Sequence, residues 1–379
     1  NLIKGLGHVI EYPMSIFKYL GQNEKVYYIG NKKVQSNVRR NFPCVKGLIT
    51  DTCFKDLESK GKKFLTDLEK LNSVYHFTNK DLIVVLTAYW NEVSGAKLFV
   101  TELGQTSPSF ILWIHQLFPP EKDFKETLKP QYIKDTYSNW KDVTSNLPIN
   151  IKLAVPPVIT LKKALNNLCG KEILSLPFPY EYRESHTKRN NVRCKSIAFL
   201  GDGRYEKGLI YLIADSLIRK GQKYYIQNLN PRGYSAKEKK YFKDYIKKLS
   251  RHSNVTIYNK PFFPNAFVQM LSKYDLIVLP YLPESYDKRG SGIYVQAAQH
   301  GIPCVVTEGT WMGEEVKKQG NGIIFNYTES RNIKENSIIL SKAIDSSINN
   351  FKRIKEKALE SQSYYLNEYS AKTFLSKLN

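Results

Sequence analysis

Cysteine is scarce and ungrouped in this sequence. Cys44, Cys53, Cys169, Cys194 and Cys304 are odd in number and contain no C-x-x-C pair. That argues against a disulfide framework and a zinc ribbon, and for free thiols in a reducing compartment. Long hydrophobic runs are missing too. The longest uncharged apolar stretch, Ser107–Pro120, is shorter than the roughly 20 residues that cross a bilayer, and no signal-peptide pattern opens the chain. A cytoplasmic location is therefore expected. There is no D-x-D pair, a carboxylate couple suited to holding a divalent cation beside a phosphate, so no metal site and no cofactor are expected.

Acidic residues are in deficit: 35 Asp and Glu stand against 57 Lys and Arg, a formal net charge of +22. Such a surplus favours anionic partners, whether nucleic acid, an acidic membrane face or phosphorylated substrates. Lysine dominates it and is spread along the whole chain, so a Lys-rich composition without a specific partner explains it as well. A nucleic-acid-binding reading rests on net charge alone, without a recognition motif or a concentrated basic patch, and no nucleic acid is expected as partner.

The 379 residues, 42% hydrophobic and 24% charged, suit two globular domains of about 150–200 residues each. Apolar, β-branched runs alternate with amphipathic stretches, as in βαβ units built on parallel sheets. In the first half strands are expected at Val26–Ile29, Leu82–Leu86 and Ser109–Ile114, with helices near Val9–Leu20, Lys55–Leu71 and Asn91–Leu103. No strand pattern precedes Gly5, although a Rossmann-like half normally opens on one, so the first strand is expected to be missing from the chain as given.

The run Glu172–Asn191, with its prolines and charged tail, marks the boundary. Beyond it strands are expected at Ser196–Leu200, Lys223–Gln227, Val255–Tyr258, Leu276–Leu279, Pro303–Val306 and Gly322–Phe325. Helices are expected at Gly208–Lys220, Ala236–Ser250, Asn265–Lys273, Ser291–His300 and Gly313–Gln319. The expected division is residues 1–180, residues 181–355, and a C-terminal helix over 356–379 that could cross back to the first domain.

Two segments carry chemistry. Ser196–Gly208, SIAFLGDGRYEKG, is a buried strand, a glycine-bracketed turn and a helix start. Gly201 and Gly203 let a ligand approach the backbone, amides point outward at a helix start, and Arg204 and Lys207 add positive charge, a combination suited to an anion. It is a poor dinucleotide fingerprint, because Glu206 occupies the third glycine position, and no G-K-[ST] follows as in a Walker loop. The second segment, Asp275–Gly313, runs from a strand ending at Pro280 through a loop with Glu284, Asp287 and Arg289. Gly290, Ser291 and Gly292 then open a short helix with Ser291 as N-cap, and a second glycine turn ends at Thr310. Loops at the carboxyl ends of parallel strands are where open α/β sheets bind ligands. Two anion-ready loops on one edge suggest a diphosphate; the plainer reading is that the glycines serve tight turns.

These segments resemble the donor domain of GT-B glycosyltransferases, specifically a divergent branch of the retaining group 1 or family 4 type. Lys207 and Gly208 match the end of that family's G-R-x-x-x-x-K-G turn counted from Gly201, while Asp202 stands at the arginine position and Arg204 follows two residues later. The family's second signature, two glutamates eight positions apart before A-x-A-x-G-x-P, ends here in Ala297–Pro303, with Gln296 and Lys288 in the glutamate places. The resemblance covers residues 196–330, and more loosely the first half through Gly5-Leu6-Gly7-His8.

The resemblance implies an α/β, GT-B architecture of two Rossmann-like parallel-sheet domains facing across a cleft. It implies sugar transfer, with retention and without metal, from a nucleotide-diphosphate sugar to a glycan or lipid-linked acceptor, as in building a surface polysaccharide or glycolipid. Donor contacts fall to Gly201, Gly203, Glu284, Arg289, Gly290, Ser291, Gly292, Gln296 and Thr310. Lys207 and Arg204 neutralise the leaving diphosphate, and His115 contacts the donor sugar. His8 and Glu11 beside the first glycine loop are the acceptor candidates.

The Lys-rich helix Ala236–Leu249 has Tyr241, Phe242, Tyr245, Ile246 and Leu249 on one stripe, the pattern of a sheet-covering helix with a solvated basic face; the other reading is contact with an anionic membrane surface. Two rival functions remain: a nucleotide-sugar epimerase, and an inactive binding module, which the Gln296 and Lys288 departures favour.

Overall fold

The computed structural model describes residues 8–19, 61–118, 128–182, 192–213, 218–219, 221–228, 233–260, 262, 264–330 and 332–378. The expected strand at Val26–Ile29 lies outside them. Two compact units divide the chain: one contains the described residues up to 181 together with 369–378, and the other contains 182–368.

The first unit is a parallel sheet in the order β1-β2-β3-β4, formed by Leu82–Val85, Ser109–Trp113, Ile151–Val155 and Leu174–Ser175. The helices of this unit are α1 (His8–Phe17), α2 (Lys62–Tyr75), α3 (Trp90–Leu103), α4 (Pro130–Thr144) and α5 (Ile159–Cys169). Phe110 to Trp113 of β2 are all buried, as a strand covered on both faces requires. The strand β3 is absent from the sequence reading; Lys152 interrupts its apolar run and is exposed on an otherwise buried strand. In α4, Pro130 sits in the first turn, where its fixed φ and missing N–H cost nothing.

The second unit is a six-stranded, all-parallel sheet in the order β10-β9-β8-β5-β6-β7. Its strands are β5 (Ser196–Phe199), β6 (Lys223–Gln227), β7 (Val255–Tyr258), β8 (Leu276–Leu279), β9 (Cys304–Thr307) and β10 (Gly322–Phe325). The chain builds outward from β5 to β7, then returns to place β8 on the opposite side of β5. That reversal makes the β5/β8 crevice the topological switch point. Its helices are α6 (Ala236–Leu249), α7 (Pro264–Leu271), α8 (Pro283–Tyr286), α9 (Gly292–Gln299), α10 (Trp311–Gln319), α11 (Ile333–Asn349), α12 (Phe351–Glu360) and α13 (Gln362–Glu368). Tyr365 of α13 fastens α9 through a hydroxyl–hydroxyl bond of 2.9 Å to Tyr294.

Three expectations are corrected. Where a helix is expected from Gly208, the described residues hold the 3-10 turn Leu209–Ile213, preceded by another at Tyr205–Lys207: Gly208 at φ 65° separates the two. The single helix expected over 356–379 is instead the end of α12, then α13 and α14 (Ala371–Ser376), and Ser370 bridges to Tyr180 of the first unit. On α6, Phe242, Tyr245 and Leu249 are buried, but Tyr241 is 47% exposed. It therefore lies on the basic face and outside the apolar stripe.

Candidate functional site

The site grows from the carboxyl ends of β5 and β8. As β5 ends, Gly201 turns the chain at φ 117°, a region that side chains disfavour. Its N–H donates to Gln227 Oε1 at 2.7 Å, and Gln227 Nε2 donates to Lys260 O at 3.3 Å. The amide of Gly201, expected to point at an anion, is thus committed within the protein. What the glycine supplies is room: a Cβ here would lie 2.8 Å from Lys207 Nζ and 3.0 Å from Ile293 Cδ1 of α9.

Gly208 closes the turn onto β8. At φ 65° its missing Cβ would fall 1.8 Å from the carbonyl oxygen of Pro280, so no other residue fits without moving the backbone. Leu282 N–H donates to Glu206 O at 2.9 Å, a second tie between the turn and the loop after β8.

Between these ties lies a cluster of charges. Glu206 is buried, 7% exposed, and its Oε1 is 2.9 Å from Arg204 Nη1 and 3.9 Å from Arg289 Nη1. Arg204 Nε also lies 3.5 Å from Asp202 Oδ2. The Arg289 guanidinium stacks 5.0 Å over Tyr286. Lys207 Nζ stands 5.3 Å over the ring of Tyr281 and forms no ion pair among the described residues. Burial lowers the Lys207 pKa to about 7; Arg204 and, more weakly, Arg289 push it the same way, against Asp202 and Glu206. Tyr281 beneath it stays protonated, its pKa raised chiefly by burial. Gly201, Asp202, Lys207, Gln227, Pro280 and Tyr281 line a small pocket at the switch point.

The α8–α9 loop brings the remaining residues. Ser291 caps α9, its Oγ accepting from Tyr294 N–H at 3.3 Å. Gly292 opens that helix, and Gly290 precedes the cap. Gly203 is buried within the first turn.

Three further residues expected at the donor have these surroundings. Thr310 is buried as the N-cap of α10: its hydroxyl donates to Thr307 O at 2.6 Å and accepts from Gly313 N–H at 3.0 Å, so it holds a turn and does not present its hydroxyl to a ligand. Glu284 is exposed on α8. Gln296 is buried in the body of α9. Asp287, in the loop before Arg289, is ion-paired with its neighbour Lys288.

In the first unit, His115 follows β2. Its Nε2 is 2.9 Å from Leu86 O. A carbonyl only accepts, so Nε2 carries the proton and, in the neutral ring, Nδ1 is the acceptor. Tyr12 stacks on the imidazole at 5.9 Å and Trp113 packs at 4.2 Å. Glu11, expected at an acceptor, is buried on α1. His8 opens α1, and its side chain lies outside the described residues.

Glu206, Tyr281 and Gln227 are the site residues that the sequence reading missed. Gln227 had a signal, a polar residue ending an otherwise aromatic and β-branched strand. Glu206 was read only as a missing glycine.

No family model matches the chain, and no curated protein sequence matches it. Solved structures do. Sucrose-phosphate synthase from Thermosynechococcus elongatus is similar at 11% identity and TM-score 0.61, over 89% of this chain and 82% of that one. Alr3699/HepE from Anabaena, solved in complex with UDP-glucose, is similar at 12% identity and TM-score 0.66, over 98% and 94%. WaaG, a glycosyltransferase involved in lipopolysaccharide biosynthesis, is similar at 13% identity and TM-score 0.62, over 98% and 95%. At these identities the likeness establishes the fold: the chain has the α/β GT-B architecture of two parallel-sheet units.

Proposed function

We propose that the protein is a glycosyltransferase that takes its sugar from a nucleoside-diphosphate donor bound at the β5/β8 crevice. The observation that carries this is Lys207, a cation without an ion pair among the described residues, in a pocket beside Arg204 and Arg289. A structural neighbour, Alr3699/HepE, was solved with UDP-glucose, the donor class this pocket suits.

In the proposed reaction the bond between the anomeric carbon and the diphosphate oxygen breaks, and its electron pair stays on the phosphate. An acceptor hydroxyl forms the new bond to that carbon and gives up its proton to the departing phosphate oxygen. Charge grows on the leaving diphosphate, and fixed cations aimed there lower the barrier. Lys207, Arg204 and Arg289 supply that charge, so the proposal includes no metal. Retention of configuration follows from the resemblance to retaining family members. His115, whose Nε2 is held by Leu86 O, is the residue to which the resemblance gives contact with a sugar hydroxyl. NMR of the product anomer tests retention: an inverted product overturns it.

For the acceptor we propose a glycan or a lipid-linked saccharide met at an anionic membrane surface, as a peripheral protein on the cytoplasmic side. Along the exposed side of α6 stand Lys237, Lys240, Lys243, Lys247 and Lys248, with Tyr241 among them, a composition suited to acidic headgroups. No described helix is long and apolar enough to cross a membrane. Sedimentation with phosphatidylglycerol vesicles tests this: binding must be lost when these lysines become glutamine, and its absence in the unmodified protein overturns it.

Thermal stability against UDP-, GDP-, ADP- and CMP-sugars and the free nucleotides tests the donor site. A selective upward shift, lost in Lys207→Ala, supports the reading and names the base. No shift with any of them, in folded protein, overturns it. Binding without turnover on any acceptor favours an inactive module, the reading to which Gln296 and Lys288 at the family's glutamate positions point.

A further inference from the structure

Two loops with separate origins must act together if the crevice is to hold a diphosphate. One follows β5 and carries Arg204 and Lys207; the other follows β8 and carries Arg289. Glu206 touches both. Its carboxylate lies against the guanidinium groups of Arg204 and Arg289, and its carbonyl accepts from Leu282 N–H. One residue thus joins the loops through its side chain and its backbone. A buried carboxylate in such a place is costly unless it is paired, and here its partners are two long, entropically expensive side chains.

We infer that Glu206 is a positioning residue for the diphosphate site: it clamps Arg204 and Arg289 across the crevice and holds their guanidinium groups beside Lys207, so that the three cations meet an incoming anion together. The inference rests on the donor-site reading given above. It runs against simple electrostatics, because a negative charge beside an anion site weakens anion binding when it acts only through its field. The two accounts therefore predict opposite signs for the same substitution.

The test compares the unmodified protein with Glu206→Gln and Glu206→Asp, using UDP titrated by calorimetry at two or more pH values. Hydrogen exchange is followed at residues 202–208 and 286–292. If Glu206 positions the arginines, both variants bind UDP about tenfold more weakly, the scale of losing one charged hydrogen-bond partner. Glu206→Asp, which keeps the charge but shortens the reach, then fails to rescue. Both segments exchange faster together. Glu206→Gln also moves the pH midpoint of UDP affinity downward, since Lys207 loses a carboxylate that favours its charged form; Glu206→Asp keeps that charge and leaves the midpoint in place while still binding weakly, which separates positioning from the carboxylate's field.

Unchanged or tighter UDP binding by Glu206→Gln, in protein that melts as the unmodified form does, overturns the inference. So does faster exchange confined to residues 202–208. If Glu206→Gln does not fold, Arg289→Gln, which cuts only the far side of the clamp, must produce the same coupled exchange; exchange in 202–208 left unaltered then overturns the clamp. Should the unmodified protein bind no nucleotide, the donor reading fails, while the exchange measurement still decides whether Glu206 joins the loops.

Discussion

Lys207 Nζ stands 5.3 Å above the ring of Tyr281 in the turn after β5, and no carboxylate forms an ion pair with it among the described residues. A cation held over an aromatic face is stabilised modestly, by about 0.5–2 kcal/mol, and remains available to a stronger anionic partner. Replacing it by alanine removes a charge-assisted contact to the proposed diphosphate, worth about 1.5–3 kcal/mol. Lys207→Ala is therefore expected to weaken UDP binding roughly 10- to 100-fold, measured by calorimetry, with the melting temperature of the free protein unchanged or raised.

The same lysine sets a pH dependence. Its folded-state pKa, about 7, lies below the ordinary value near 10.4. Between those values the unfolded chain binds the extra proton, so Lys207 makes stability rise with pH across that window. The cost of the buried charge is fully present below pH 7 and gone above about 10.4. Lys207→Met is expected to flatten that slope in urea unfolding at a series of pH values. Diphosphate binding favours the charged form, so it takes up a proton above pH 7. Affinity should then fall with rising pH, by up to about tenfold per unit, and Lys207→Met should lose this dependence. Equal affinity of the unmodified protein at pH 7 and 9 would refute the coupling.

Two glycines with nearly the same backbone angle separate conformation from contact. Gly170 and Gly208 have φ values of 60° and 65°. A Cβ on Gly170 meets nothing within 4 Å, whereas one on Gly208 strikes Pro280 O at 1.8 Å. Gly170→Ala is expected to cost about 1 kcal/mol, the ordinary penalty for a left-handed alanine. Gly208→Ala must in addition push the β5 turn off β8, so its cost should exceed about 3 kcal/mol and UDP binding should vanish with it. Similar melting temperatures for the two variants would mean that the turn is not anchored on Pro280.

The second unit was legible because its strands are short apolar runs separated by clear turns. Lys223–Gln227, Val255–Tyr258, Leu276–Leu279 and Gly322–Phe325 lie where the residues indicate. Strand β3 was missed because Lys152 breaks a run of only five residues, too short for periodicity to register. Site residues were legible by charge and by glycine, not by partner. Arg204, Lys207 and Arg289 stood out, yet the sequence gives no sign that Glu206 holds two of them. Thr310 looked like a ligand contact because a capping threonine and a binding threonine share the same local pattern; only the two hydrogen bonds on its hydroxyl distinguish them. The C-terminal segment is expected to cross back to the first domain, and residues 369–378 do belong to the first unit; the point at which they join it was not legible, because no local signal encodes a contact as distant as that of Phe374 with Trp113.

Phe374 of α14 is fully buried, with its ring 5.2 Å from Trp113 at the end of β2, while α13, a few residues before it, belongs to the second unit. Phe374→Ala should therefore leave a cavity in the first unit and cost about 3–5 kcal/mol there. Amide exchange can locate the damage. Protection should fall in β2 and β3, whose residues share the Trp113 layer, and persist in β5, β8 and β9. UDP binding, which the proposal assigns to the second unit, should survive under conditions where the protein stays folded. Loss of protection in β5 and β8 instead would mean that residues 369–378 support the second unit, and the division of the chain at Glu368 would have to be redrawn.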